Sequence, residues 1–158
     1  MCGLFVFFPT FGYNQIAEST LPVKTTLCDL SQHPEQYAGK IIAVHGSVAG
    51  NDLWIDDFQQ KPCSSWIPLV VVLPNVIRPT PEFNLVQDES FTRFFLGVHR
   101  GSGVEATFEG RFDAAFVWRN HKKIFVSKTK GYGKKNRYGG RIVLHRLSDV
   151  VIHGRMQL

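Results

Sequence analysis

Residues Leu27–Val48, LCDLSQHPEQYAGKIIAVHGSV, determine the fold of this chain more than any other stretch. Polar and helix-compatible residues predict a short helix over 27–36, and either Thr26 or Asp29 is suited to cap its N-terminus. Gly39 then ends the helix. The residues after it alternate between apolar and polar, which is the pattern of a β-strand with one buried face.

The predicted strand presents Ile42, Val44, Gly46 and Val48 on one face. Successive side chains of a strand point to opposite sides, so we expect this face to line the core. A glycine in the middle of a strand is typical of a bulge or a sharp bend. Gly46 therefore predicts a bend that helps a small sheet to close on itself.

The remainder of the chain alternates short strands with turn signals. Strands are predicted over 53–55, 66–73, 104–112, 114–118, 123–127 and 141–151. A second helix is predicted near Asp88, because Phe91, Phe94 and Phe95 recur at helical spacing. This order predicts a mainly β fold, a small closed or partly open β-barrel with one or two short helices, in a single domain over residues 23–155.

Three motifs resemble those of a known group of proteins. The pattern PxxYxGKxIxVxG over 34–46 is similar to the opening of a group of uncharacterised small bacterial OB-fold-like proteins, which are often exported. The motifs GRF at 110–112, GYG at 131–133 and RIVL at 141–144 resemble the second half of that group. The glycines of the GYG motif also predict positive-φ positions in a bend. The resemblance implies an OB-like barrel and implies no biochemical activity. The group often has a histidine where this chain has Lys134.

The N-terminal residues 1–22 are predicted to lie outside the domain, as an apolar segment followed by a linker. Residues 1–8 are apolar and uncharged, as in the core of a truncated signal peptide, although a first strand or an apolar tail fits as well. No apolar run reaches the roughly 18–20 residues that cross a bilayer. We therefore expect an exported or periplasmic protein, otherwise a cytoplasmic one, without a transmembrane span.

The cysteines allow two interpretations. In an oxidising compartment Cys28 and Cys63 are candidates for a disulfide, whereas in the cytosol they would be two small buried hydrophobic residues. No Cys-x-x-Cys or paired-histidine spacing is present, so we predict no metal site and no cofactor. Neither Cys28 nor Cys63, each considered with His33, has a local nucleophile–base pattern, and we predict that the protein is not an enzyme.

Positive charge is concentrated near the C-terminus. The chain carries a net charge of +5, and residues 119–146 hold ten Lys or Arg and no acidic residue, interleaved with aromatic residues. Cations contact phosphates, and aromatic rings stack on bases. The predicted ligand-binding residues are Lys128, Lys130, Tyr132, Lys134, Lys135, Arg137 and Tyr138.

These features predict a non-catalytic binding or interaction module whose ligand is unknown, with an anionic polymer or protein as the expected partner of segment 119–146. The alternative is a single-stranded nucleic-acid-binding protein. A solvated basic loop without a ligand would show the same composition. The tryptophans Trp54, Trp66 and Trp118 are expected in the core, or with at least one on a binding face.

Overall fold

The computed structural model describes residues 21–49, 53–56, 63, 65–74 and 84–155. Apart from its last two residues, the predicted N-terminal segment 1–22 lies outside this part of the chain. The described part is mainly β, as predicted, with nine strands and three helices. The strands are β1 (Val23–Thr25), β2 (Ile41–Ala49), β3 (Trp54–Asp56), β4 (Ser65–Trp66), β5 (Leu69–Val72), β6 (Ser102–Ala114), β7 (Phe116–Arg119), β8 (Lys122–Phe125) and β9 (Gly140–Arg155). The helices are α1 (Leu27–Gln32), α2 (Pro34–Tyr37) and α3 (Glu89–His99).

The helix predicted over 27–36 is in fact two helices, α1 and α2. His33 between them has φ −132° and ψ 51°, because the ring of Pro34 disfavours a helical conformation at the residue before it. Thr26 caps α1 by accepting a hydrogen bond from the Asp29 amide at 3.0 Å. With α3, the described part of the chain contains three helices rather than the one or two predicted.

Five strands pair in a ring. The order runs β2, β3, β5, β9 and β6, and β6 pairs with β2 again. All neighbours are antiparallel except β5 and β9, which are parallel. Strand β1 adds to the side of β2 in parallel, and α3 follows β5 in the chain and packs against β6 and β9. The sheet is therefore ring-like, with two long connections, one from β5 to β6 that contains α3 and one from β6 to β9.

The core lies inside this ring. In β6, every second residue from Val104 to Ala114 is buried, as the alternation predicts. The buried residues of β2 are the four predicted from its sequence. Phe94 of α3 is fully buried, and its ring meets that of Phe108 edge to face at 5.5 Å between centroids. The helix thus closes one end of the apolar interior.

Of the bulge or bend predicted at Gly46, a bulge in the pairing with β6 is absent. The register between β2 and β6 runs unbroken from Ile41 opposite Arg111 to Val48 opposite Val104. Register shifts occur instead between β6 and β9, one of them next to Gly110. A Cβ atom at Gly110 would lie 2.2 Å from the Val143 carbonyl oxygen, so this glycine permits the close approach of the two long strands.

A second sheet of three strands, in the order β4, β7 and β8, lies outside the ring. The single strand predicted over 66–73 is interrupted at Ile67 and Pro68, so β4 joins this sheet while β5 joins the ring. A proline has no amide hydrogen and disfavours a central strand. The hairpin predicted over 114–127 is confirmed, and it turns at Asn120 and His121, both of which have positive φ.

Candidate functional site

The segment predicted to bind a ligand belongs to the connection between β6 and β9. This connection holds the β7–β8 hairpin and then residues 126–139, which we call the basic loop. The loop is fixed at both ends by backbone hydrogen bonds, from the Val126 amide to the Ala115 carbonyl at 2.9 Å and from the Gly139 amide to the Pro68 carbonyl at 2.9 Å. It is therefore attached to the barrel and to the end of the second sheet.

The middle of the basic loop is a tight turn around the Gly-Tyr-Gly motif. Tyr132 and Tyr138 exchange two backbone hydrogen bonds, at 2.8 and 3.1 Å. Gly131 and Gly133 have φ of 147° and 69°, which confirms the predicted need for glycine in a bend. A Cβ atom at Gly133 would lie 2.7 Å from the Tyr138 ring. Both tyrosines are thus held in place by the turn itself.

Tyr132 packs against a charged cluster that joins the loop to the barrel. The Arg141 guanidinium lies 4.6 Å from the centre of the Tyr132 ring, a cation–π contact. Arg141 Nε also donates to Asp113 at 2.8 Å, and Arg111 donates to both oxygens of the same carboxylate at 3.2 Å. The Asp113 carboxylate therefore binds the guanidinium groups of both Arg111 and Arg141.

The sequence analysis missed this cluster, because Asp113 and Arg111 lie outside the basic stretch. Both residues sit on the outward face of β6, and Asp113 pairs directly with Arg141 of β9 across the two strands. Opposite charges on facing positions of neighbouring strands attract each other. The two-residue spacing of Arg111 and Asp113 on one strand face was visible in the sequence, but the register with β9 was not.

The pKa of Tyr132 is raised above its ordinary value of 10.0. Burial is the largest cause, since it disfavours the phenolate, and the negative charge of Asp113 acts in the same direction. Arg141, a hydrogen bond with the Thr129 side chain and Arg111 all oppose the increase. Tyr132 therefore remains a neutral phenol at physiological pH.

An open cleft of about 530 Å³ lies beside this cluster. It is lined by α2–β2 junction residues such as Gly39, by β6 residues and by the basic loop. Of the seven residues predicted to bind a ligand, only Tyr132 lines this cleft in the described structure. Arg111 and Arg141 supply two positive charges against the single negative charge of Asp113, so the cleft suits a small polar or anionic group.

The other predicted cations lie on the outer surface of the basic loop. All five are exposed, and within the described part of the chain none forms an ion pair. They are Lys128, Lys130, Lys134, Lys135 and Arg137. Exposed like charges repel each other at distances below the Debye length of about 8 Å. An anionic group across this surface would relieve that repulsion.

The second sheet carries exposed aromatic side chains next to the basic loop. Trp66 of β4 and Phe125 of β8 are 53% and 56% exposed, and Trp118 of β7 is partly exposed. The Trp66 and Trp118 rings are nearly parallel, at 6.2 Å between centroids. Trp66 therefore departs from the expectation that the tryptophans lie in the core. The pairing of β4 with β7, which no local pattern reveals, brings the rings together.

Cys28 and Cys63 form a disulfide with a Cα–Cα distance of 5.8 Å. The bond joins α1 to the chain just before β4. Arg119 at the end of β7 also donates to the Gln32 carbonyl of α1 at 2.5 Å. Helix α1 therefore holds the second sheet at two points.

Among the residues that the structure describes, no three His, Cys, Asp or Glu side chains cluster in a way that would hold a metal ion. None of the described helices has the length and apolar character needed to cross a membrane. In comparisons with protein-family models, curated proteins and solved structures, nothing matched this chain.

Proposed function

We propose that this protein is a non-catalytic binding module on an OB-like barrel, and that it binds an anionic partner through segment 119–146. The ring order supports the OB-like assignment. When the five ring strands are numbered in chain order, their order around the ring is first, second, third, fifth and fourth. Helix α3 lies in the chain between the third and the fourth of these strands. OB-folds are five-stranded Greek-key barrels that bind through one sheet face and through loops, including the loop between the last two strands.

The observation that carries the proposal is the position of the basic loop. It belongs to the connection between β6 and β9, the last two strands of the ring, where an OB-fold binds its ligand. Its five exposed cations have no carboxylate partner among the described residues. A polyanion would gain contacts with these cations and release its own counterions, which favours binding at low salt.

The disulfide supports the non-catalytic part of the proposal and its location. A cysteine nucleophile acts as a thiolate, and neither Cys28 nor Cys63 offers one while they are bonded to each other. Disulfides persist mainly in oxidising compartments. We therefore favour an exported or periplasmic protein over a cytoplasmic one.

The test is a titration with inorganic polyphosphate at several salt concentrations. The wild-type protein is expected to bind at low salt and to lose affinity steeply as salt is added. Replacing Lys134 and Lys135 by Ala removes two contacts, and should reduce the slope of log K against log salt by about one to two. The matched control removes two exposed cations from α3 and its end, Arg93 and Arg100, and should leave the slope unchanged.

The proposal fails if the wild-type protein does not bind polyphosphate at low salt. It also fails if the Arg93 and Arg100 variant loses as much affinity as the Lys134 and Lys135 variant. Equal losses would show attraction by the net charge of the protein and no binding site on the basic loop.

A further inference from the structure

The outer face of the second sheet carries an aromatic surface that the core does not use. We call Trp66, Trp118, Phe125 and Lys123 together the aromatic face. The strand register puts them side by side, because Trp66 pairs with Trp118 and Trp118 pairs with Lys123. Phe125 is the next residue but one along β8, so its side chain lies on the same side of the sheet.

A buried ring packs beside the exposed ones on the same side of the sheet, because Phe116 pairs with Phe125 and precedes Trp118 by two residues. Phe116 is buried, and its ring contacts those of Trp118 and Phe125 at 6.4 and 6.1 Å between centroids, in edge-to-face geometry. Edge-to-face packing of this kind holds each ring in a preferred orientation. A ligand that stacks on Trp118 or Phe125 therefore meets a surface that is already arranged.

Positive charge belongs to this face as well as to the basic loop. The Lys123 ammonium lies 3.7 Å from the centre of the Phe116 ring and 5.1 Å from that of Phe125. The chain runs from Phe125 directly into the basic loop, so the aromatic face and the basic loop are adjacent in the chain. An uncharged sugar polymer would use the rings alone, whereas a chain of flat groups joined by phosphates would use both.

We propose that the aromatic face binds the bases of a single-stranded nucleic acid while the basic loop contacts its phosphates. This inference rests on the proposed function, since it assumes that the basic loop binds an anion. It adds a second site, on a sheet outside the barrel, and a ligand class. Base–aromatic stacking tolerates any sequence because every base has a flat face, so we expect little sequence preference.

The experiment compares two strands of equal charge. One is oligothymidylate of about ten nucleotides, within the range of lengths that one such domain covers, and the other is an abasic strand of the same length. Binding is measured at low salt by titration and by tryptophan fluorescence. The wild-type protein should bind oligothymidylate about a hundred-fold more tightly than the abasic strand, because two stacking positions contribute about ten-fold each, and its tryptophan fluorescence should be quenched.

Variants separate the two sites. Trp66→Ala and Phe125→Ala should each weaken oligothymidylate binding about ten-fold and leave the abasic strand unaffected, and Trp66→Phe should restore most of the loss. Lys134→Ala should weaken both strands equally. Trp66→Ala removes a large ring, so circular dichroism is used to verify that each variant is folded. Phe125→Leu is a second variant, which removes the flat ring but keeps an apolar side chain at an exposed position.

Each outcome supports or overturns a defined statement. Equal affinity for the two strands would overturn base stacking, and polyphosphate binding would then still support the proposed function. Failure to bind oligothymidylate, the abasic strand and polyphosphate would overturn both proposals. If an acidic polysaccharide binds more tightly than oligothymidylate and depends on Trp66, the ligand class is wrong.

Discussion

The ring of β2, β3, β5, β6 and β9 and the connection from residue 115 to 139 differ in almost every physical property. In the ring, alternate residues of β2 and β6 are buried, and apolar side chains from both strands fill one interior. In the connection, seven cations and the ring of Phe125 are exposed, and six residues have positive φ. The ring is organised to exclude water, whereas the connection is organised to present groups to it. Apolar burial is therefore concentrated in the ring, and exposed charge is concentrated in the connection.

The largest difference should appear when one phenylalanine is removed from each region. Phe108→Ala takes away a fully buried ring that contacts Phe94, and should lower the free energy of unfolding by about 3–5 kcal/mol. Phe125→Ala removes a ring that is 56% exposed, and should change the free energy of unfolding by only about 0.5 kcal/mol. Denaturant unfolding of both variants measures the two values. Similar losses would show that Phe125 belongs to a core.

The disulfide tests whether the second sheet depends on α1. Replacing both Cys28 and Cys63 by Ser should lower the free energy of unfolding by about 2–4 kcal/mol, because the disulfide closes a loop with a sequence separation of 35 residues. We also expect a change in tryptophan fluorescence, since Trp66 lies close to Cys63 in the chain. Reducing agent should reproduce these changes in the wild type and have no effect on the double variant. An unchanged stability of the double variant would contradict the prediction.

A smaller effect is expected where the two regions meet. Asp113→Asn removes the carboxylate that pairs with Arg111 and Arg141. It should lower the free energy of unfolding by about 1–3 kcal/mol, because both arginines are partly buried and lose their charged partner. Glu109→Gln makes the same change of charge on the same face of β6, at a residue without an ion pair in the described structure, and is the matched control. Equal losses in the two variants would show that the cluster contributes nothing beyond net charge.

The smallest effect concerns the pKa of Tyr132. Because this pKa is higher in the folded protein than the 10.0 of an unfolded tyrosine, the unfolded state loses its proton first as the pH rises. The stability linked to Tyr132 is thus present below pH 10 and falls as the pH increases through the folded pKa. Unfolding measured from pH 9 upwards should show this loss in the wild type and not in Tyr132→Phe. Asp113→Asn should lower the pKa, since Asp113 helps to raise it.

Much of the ring could be predicted because its pattern is local. The alternation of Val104, Ala106 and Phe108 identifies a strand and its buried face without knowledge of any partner strand. The break at His33 was missed, although the proline after it is a local signal. A bulge or bend was predicted at Gly46, whereas a register shift lies beside Gly110, and the close Val143 carbonyl that requires a glycine there comes from another strand.

The part of the candidate site that could be predicted is the part that the amino-acid composition of a single segment reveals. Ten cations without an acid in 119–146 indicated an exposed basic surface, and the exposure of Lys134 and Lys135 agrees with that indication. Asp113 was missed because it comes from a different strand. The aromatic face was missed because the four residues that form it lie on three strands, one of which, β4, is only two residues long.

By itself, the sequence determined the mainly β character, the buried faces of β2 and β6, the glycine turn and the concentration of positive charge. These depend on the period of side chains along a strand and on the composition of single segments. Only the tertiary structure decided which strands close the ring, that Asp113 faces Arg141, and that Trp66 lies beside Trp118. These contacts join residues far apart in the chain, and they depend on strand register, which no local pattern specifies.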